Sequence, residues 1–171
     1  MMNRNANGFT LIELIIYIGI SAIILLGIAT LFGLLFSAQT SSRAVAEVDE
    51  QGQAAMTVIT QSVRNAAVIT FPAKGSSSST LIIQPLATST ATTTFNLSGT
   101  SLQIKEGAPP PVSLTASDTS VTALTFTNLT ATGTPGIVRI QFTLNHIKNQ
   151  LATSTVYDYT GTFYDSASLR P

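Results

Sequence analysis

Glu13 is the only charged side chain between Phe9 and Phe36, a stretch otherwise built of aliphatic and aromatic residues, small residues and a few hydroxyls. An ionised carboxylate held within a bilayer costs a few kcal/mol on insertion scales and more by some calculations. The chemistry open to such a group is charge pairing. A cationic partner must neutralise Glu13, and the identity of that partner bears on function. The bland alternative is that Glu13, close to the start of the segment, snorkels to the headgroups.

Elsewhere the chain offers little reactive chemistry. His146 is the sole histidine and there are no cysteines, so no zinc site, thiolate nucleophile or disulfide is expected. His146 itself reads as an exposed residue at a strand end or in a loop. Asp158 and Asp165 flank a Tyr-rich stretch, but two scattered carboxylates fall short of a calcium-binding loop. No nucleophile elbow, phosphate loop or paired-acid motif is present. Neither enzyme activity nor a metal or cofactor is therefore expected. Asn96-Leu97-Ser98 and Asn128-Leu129-Thr130 match a glycosylation sequon by chance composition. Net charge is zero and only 9% of the 171 residues are charged, so no basic face for direct nucleic-acid binding is expected.

The apolar segment that carries Glu13 is the first element to place. From Phe9 to Phe36 it would extend ~42 Å as a helix, enough to cross a ~30 Å hydrocarbon core with tilt. It is about twice as long as the apolar core of a secretory signal, and bulky Phe36 stands where a small residue would precede a cut. Arg4 ahead of it, with Arg43 offset by Glu47, Asp49 and Glu50 behind it, favours an inside leader. Beyond it, Val45, Val48, Gly52, Met56, Ile59 and Val63 recur at helical spacing, with Glu47, Asp49, Glu50, Gln53, Gln61 and Arg64 toward water. The pattern predicts one helix from about Thr10 to Ala67, with Gly27 and Gly52 as candidate bends and Phe71-Pro72 as the stop. Two helices with a break near Ser37 to Ser42 are the alternative.

Gly8-Phe9-Thr10-Leu11-Ile12-Glu13-Leu14, behind a short leader whose one charge is Arg4, resembles the processing motif of type IV prepilins and type II secretion pseudopilins. The resemblance implies that a membrane-embedded prepilin peptidase cuts between Gly8 and Phe9 and methylates the new amine of Phe9. It further implies that Glu13 pairs with the terminal amine of a neighbouring subunit. The cationic partner that the apolar segment demands is thereby supplied. Many major type IV pilins close their C-terminal region with a disulfide; the absence of cysteine departs from them and leaves minor pilins and pseudopilins open.

After residue 72 the sequence is rich in Thr and Ser and reads as strands. Thr80 to Gln84 is a short run, and Thr93 to Leu97 with Ser101 to Lys105 form a hairpin around Ser98-Gly99-Thr100. Pro109-Pro110-Pro111 is a stiff loop. Val121 to Asn128 is expected as a strand with Val121, Ala123, Leu124, Phe126 and then Leu129 as its apolar positions. Val138, Ile140, Phe142 and Leu144 alternate cleanly, and Thr155 to Tyr164 is the last strand or strand pair. The hairpin, the Pro-rich connection, Val121-x-x-Leu124-x-Phe126 and Val138-Arg139-Ile140 resemble pseudopilin J and its minor-pilin counterpart W, as does Gln61 to Val68 at the helix end.

The expected fold is α+β: a long N-terminal helix, membrane-spanning in its first half, packed against a C-terminal antiparallel sheet head. The expected divisions are a leader at 1–8, a transmembrane and filament-core helix at 9–36, an amphipathic helix at 37–70 and a β-rich head at 71–171. The resemblance implies a structural subunit of a type IV pilus or type II secretion-like filament. Its partners would be the prepilin peptidase, other pilin or pseudopilin subunits and an inner-membrane assembly platform. It would sit as a single-pass inner-membrane protein with its head outside before entering the filament. A membrane-anchored binding protein that never polymerises is the rival reading, and it needs neither Glu13 nor a cuttable Gly8.

Overall fold

A computed structural model describes residues 10–86, 91–146 and 159–170, with residues 37, 38, 40 and 41 described for their backbone alone. Two compact units divide the chain, one ending at Thr40 and the other beginning at Ser41. Helix α1, Leu11–Arg64, is continuous over 54 residues and contributes to both. Helix α1 thus runs without a break at Ser37 to Ser42.

The first unit is the apolar part of α1. Every described side chain from residue 10 to residue 36 is exposed, including large aliphatic groups such as Ile18, Leu25 and Leu34. Its helical state needs no partner to satisfy the backbone, because each peptide group bonds within the helix. Thr30 Oγ1 donates to Gly27 O at 2.8 Å, which removes the cost of a hydroxyl in lipid.

The second unit is the head. Its part of α1 buries Val48, Ala55, Met56, Ile59 and Val63 on one face, with Gly52 and Thr60 between them. Val45 is only half-buried, and Ala44 holds the inner position beside it. Two antiparallel sheets complete the core. One has five strands in the order β1 (Ala66–Phe71), β3 (Leu81–Pro85), β4 (Thr93–Ser98), β5 (Ser101–Glu106), β6 (Val112–Ser113). The other has four, in the order β2 (Ser77–Ser78), β7 (Thr119–Asn128), β8 (Ile137–His146), β9 (Thr160–Ser168). Leu81, Ile83, Phe95 and Leu102 from the first sheet join Phe126, Val138, Ile140, Phe142 and Leu144 from the second and the helix face in one buried cluster.

The hairpin of β4 and β5 pairs Ser98 with Ser101 across Gly99-Thr100. Gly99 at φ 60 with no positive φ at Thr100 is the type II′ pattern, whose twist matches the strands it joins. In β8 the four alternate residues Val138, Ile140, Phe142 and Leu144 are all fully buried, as the period-2 pattern requires.

Three expectations are corrected. The helix ends at Arg64 and residues 66–71 are strand β1, so Phe71-Pro72 closes a strand rather than the helix. In β7 a bulge between Val121 and Ala123 shifts the phase by one residue, so Val121 and Leu124 both point inward while Ala123 and Leu129 are exposed. The last strand runs Thr160–Ser168, later than the predicted Thr155 to Tyr164, whose first residues lie outside the described residues.

Gly52 lies inside the unbroken run of α1. A Cβ there would fall 2.0 Å from the Phe163 ring, which stacks on Phe142 at 5.3 Å and so has little room to retreat. The glycine exists so that β9 can approach α1. Overpacking of a filled site costs ~1–3 kcal/mol, against ~1 kcal/mol gained in helix propensity. Gly52→Leu should lower the thermal midpoint of the full-length protein in detergent, and adding Phe163→Ala should recover part of the loss. An unchanged midpoint in the single variant would show that the ring moves aside freely.

Candidate functional site

The candidate site begins where α1 begins. Leu14 N donates to Thr10 O at 3.2 Å, the first bond of the helical ladder, which makes Thr10 the residue that caps the helix. Glu13 N lies 3.4 Å from Thr10 Oγ1, and the Thr10 hydroxyl lies 3.5 Å from Glu13 Oε2. Thr10-x-x-Glu13 is thus a capping-box arrangement, drawn out to long contacts. The carboxylate sits in the first turn, near the positive end of the helix dipole.

Glu13 is exposed, and it is the only charge within the candidate membrane span Leu11–Phe36. Among the described residues it has no cationic partner in its own chain. Its predicted cleavage neighbours, Gly8 and Phe9, lie outside the described residues. Thr10 was not among the residues expected to act here. Its signal is the Thr-x-x-Glu spacing itself.

A second polar cluster lies in the head and was invisible in the sequence. His146, at the end of β8, is not the exposed residue expected. Its side chain is 16% exposed, and Nε2 lies 3.5 Å from Glu47 Oε2 on α1. Glu47 also shares a hydrogen bond with Asp118, in the loop before β7. Gln51 ties the same loop to the helix: its Oε1 accepts from Ala116 N at 3.0 Å, and its Nε2 lies 3.5 Å from Asp118 Oδ1. Asp49, one residue position beyond the inner face, receives the Tyr159 hydroxyl at 3.5 Å. Two of the supposedly water-facing carboxylates of α1 are therefore engaged with the head.

Glu47 and Asp118 share a proton, and their pKa values move in opposite directions. The hydrogen bond that protonated Glu47 donates to Asp118, then burial, then the like charge of Asp118 push the Glu47 pKa up, while His146 pulls it down. The bond to Glu47 holds Asp118 below its ordinary value. A raised folded-state pKa gives stability that is full below the unfolded value and is lost as pH rises through the folded one. Asp118 acts in the opposite sense, its contribution being lost as pH falls through its depressed value. Glu47→Gln retains a donor to Asp118 without the proton. It should raise the thermal midpoint relative to the unmodified protein above the raised Glu47 pKa, and the two melting curves should converge in acid. A constant offset at every pH would contradict the shared-proton account.

No group of three or more metal-ligating side chains occurs among the described residues. Asp165 accepts from Ser166 N at 2.7 Å at the surface, and Asp158 lies outside the described residues. Asn128, the first residue of one sequon-like triplet, is buried and donates to Pro72 O at 2.8 Å while its Oδ1 accepts from Thr130 N. Its side chain is thus a structural tie between β7 and the end of β1.

Comparison with protein families finds a match over residues 3–29 to a model described as the prokaryotic N-terminal methylation motif. The chain carries that methylation motif. The matched span contains Gly8, Phe9, Thr10 and Glu13 and ends inside the apolar part of α1. The methylation motif is consistent with the type IV pilin and pseudopilin family, whose members are structural rather than enzymatic. It implies processing by a prepilin peptidase and assembly with other pilin subunits. Together with the apolar helix it implies membrane anchoring. Comparisons with curated proteins and with solved structures give no match.

Proposed function

We propose that this chain is a minor pilin or pseudopilin, a structural subunit of a type IV pilus or type II secretion-like filament. The observation that carries this reading is the methylation motif set on the first turn of an exposed, 26-residue apolar helix whose single charge is Glu13. Cleavage between Gly8 and Phe9 would leave an amine at the head of that helix, and methylation would keep it cationic. An ammonium beside the positive end of a helix dipole is unfavourable by itself. Glu13, one turn away, offsets it, and in a bundle the Glu13 of one subunit pairs with the Phe9 amine of its neighbour.

Before assembly the subunit would cross the inner membrane once, its leader inside and its head outside. The assembly platform would then draw α1 from lipid into a bundle of like helices. Gly19 and Gly27 support that step: a Cβ at either meets nothing within 4 Å, so their surfaces are free for close approach by a second helix. The order of the β4–β5 hairpin, the Pro-rich connection, β7 and β8 supports a subunit of the pseudopilin J and minor pilin W kind. Direct nucleic-acid binding has no support in the charge pattern.

The test is fractionation. Filaments sheared from cells that express the full chain should contain it together with other prepilin-like subunits. A chain confined to the membrane fraction while filaments form without it would favour the anchored binding protein instead.

A further inference from the structure

Four strands lie at the margins of the two sheets: β1 and β6 in one, β2 and β9 in the other. Strands β2 and β6 have two residues each, and β1 carries two register shifts in its pairing with β3. Strand β9 differs from all three. It has nine residues, and they pair with β8 in unbroken register, from Thr160 opposite Asn145 to Ser168 opposite Ile137. The backbone bonds just beyond its two ends fix which groups face outward. Leu169 N donates to Gly136 O at 2.7 Å, and His146 N donates to Tyr159 O at 3.1 Å. Hydrogen-bonded and non-hydrogen-bonded pairs alternate along an antiparallel ladder. Gly161, Phe163, Asp165 and Ala167 therefore direct their backbone groups at β8, while Thr162, Tyr164, Ser166 and Ser168 turn theirs away from it. Among the described residues one of these outward groups has a partner: Ser166 N donates to Asp165 Oδ1 at 2.7 Å.

A long bare edge invites a further strand, and natural proteins blunt such edges with proline, lysine, bulges or an inward-pointing charge. Strand β9 has no proline, no basic residue and no bulge; it has Asp165. By strand alternation Asp165 points to the same side as buried Gly161 and Ala167, the side that packs on α1. It is nevertheless exposed, and a hollow of about 290 Å³ opens between it and Gln53, Thr57 and Thr60 of α1. A second hollow, of about 410 Å³, follows at the end of β9, with Arg64 and Arg170 in its wall and no carboxylate side chain. Among the described residues neither arginine has an ion-pair partner, and neither has Asp165. Arg139 stands opposite Ser166 in register and so belongs to the other face of the sheet.

We propose that the free edge of β9 is a strand-addition site for an extended segment of another protein, one that carries a basic side chain and, four residues before it, a carboxylate. In this mode main-chain bonds supply affinity and alternate side chains supply selectivity. In an antiparallel fit the residue facing Asp165 falls in a non-hydrogen-bonded pair, where side chains approach most closely. A cation there draws the carboxylate away from Ser166 N, which is then free to bond the incoming carbonyl. Asp165 thus guards the edge against neutral strands and admits a basic one. Positions four residues apart share one face of a strand and lie ~13 Å apart. That spacing carries the carboxylate of the segment to Arg64 and Arg170. The site does not depend on polymerisation and would serve a filament subunit or an anchored binding protein.

The probe is a fluorescein-labelled, C-terminally amidated peptide, Thr-Asp-Thr-Val-Thr-Lys-Thr-Val, and fluorescence anisotropy reads its binding to the full-length protein in detergent. Binding should be saturable, and Ser166→Pro should weaken it at least ten-fold. Proline is tolerated on an edge strand where its nitrogen faces outward, so this variant should keep the pairing of β9 with β8 and its thermal midpoint. Asp165→Lys should weaken binding by a similar factor. A second peptide, with aspartate in place of its lysine, should bind Asp165→Lys at least ten-fold more tightly than it binds the unmodified protein. That exchange isolates the charge pair from any loss of fold. Failure of the first peptide to bind saturably would overturn the proposal. So would full affinity in Ser166→Pro, or binding that ignores the exchange of charges.

Discussion

Glu13→Leu should be inserted and processed as before yet fail to enter filaments, with its content in the sheared fraction reduced by ten-fold or more. The substitution makes the span more apolar, so membrane insertion does not suffer. What it removes is the partner of a cation. A desolvated ion pair that loses one member typically costs about 3–5 kcal/mol, because the other member is left stranded in apolar surroundings. On this account that member is the Phe9 amine of the adjacent subunit. The structure adds a second, smaller loss. Glu13 also lies in the first turn beside Thr10, so Leu would forfeit the dipole and capping contributions, of the order of 1 kcal/mol. Glu13→Gln separates the two effects. It keeps a polar side chain near Thr10 but cannot pair as an anion, so it should resemble Leu in filament content and the unmodified protein in helix content. Normal incorporation of both variants would remove the registry role from Glu13.

Gly8→Asp should abolish maturation, leaving a full-length chain in the membrane and none in filaments. A large polar side chain at this position crowds the scissile bond, and a carboxylate adds an unpaired charge beside it. Gly8→Ala, which adds a single methyl, should be processed in part. Immunoblotting of the membrane fraction reads both, as a ladder of uncut and cut chain. Full cutting of Gly8→Asp would move the cleavage away from Gly8-Phe9.

The features that the sequence declares and those that it hides differ in their physics. Glu13 stands out because one charge in an apolar run has no local explanation. The inner face of α1 is legible because Val48, Met56, Ile59 and Val63 keep the helical period, and β8 because Val138 to Leu144 keep a strict period of two. Strand β1 is hidden because Ala66–Phe71 follows the helix without a Gly or Pro between them, and the visible punctuation, Pro72, comes after the strand. The bulge in β7 defeats alternation at the one point where the phase slips. The packing role of Gly52 is hidden because the ring it admits, Phe163, lies far away in the chain. Glu47, Asp118 and His146 carry no common motif, since only the folded head brings them together. The Thr10-x-x-Glu13 spacing is a local signal of a capping box, overshadowed by the charge of Glu13.

On this account the cation that Glu13 requires is made by maturation. Intact-mass and terminal-peptide spectrometry of the protein purified from its filament-forming cells tests this most directly. The account predicts a chain that begins at Phe9 with a methyl group on its amine. A protein that retains Met1 to Gly8, or that starts at any residue other than Phe9, would contradict it.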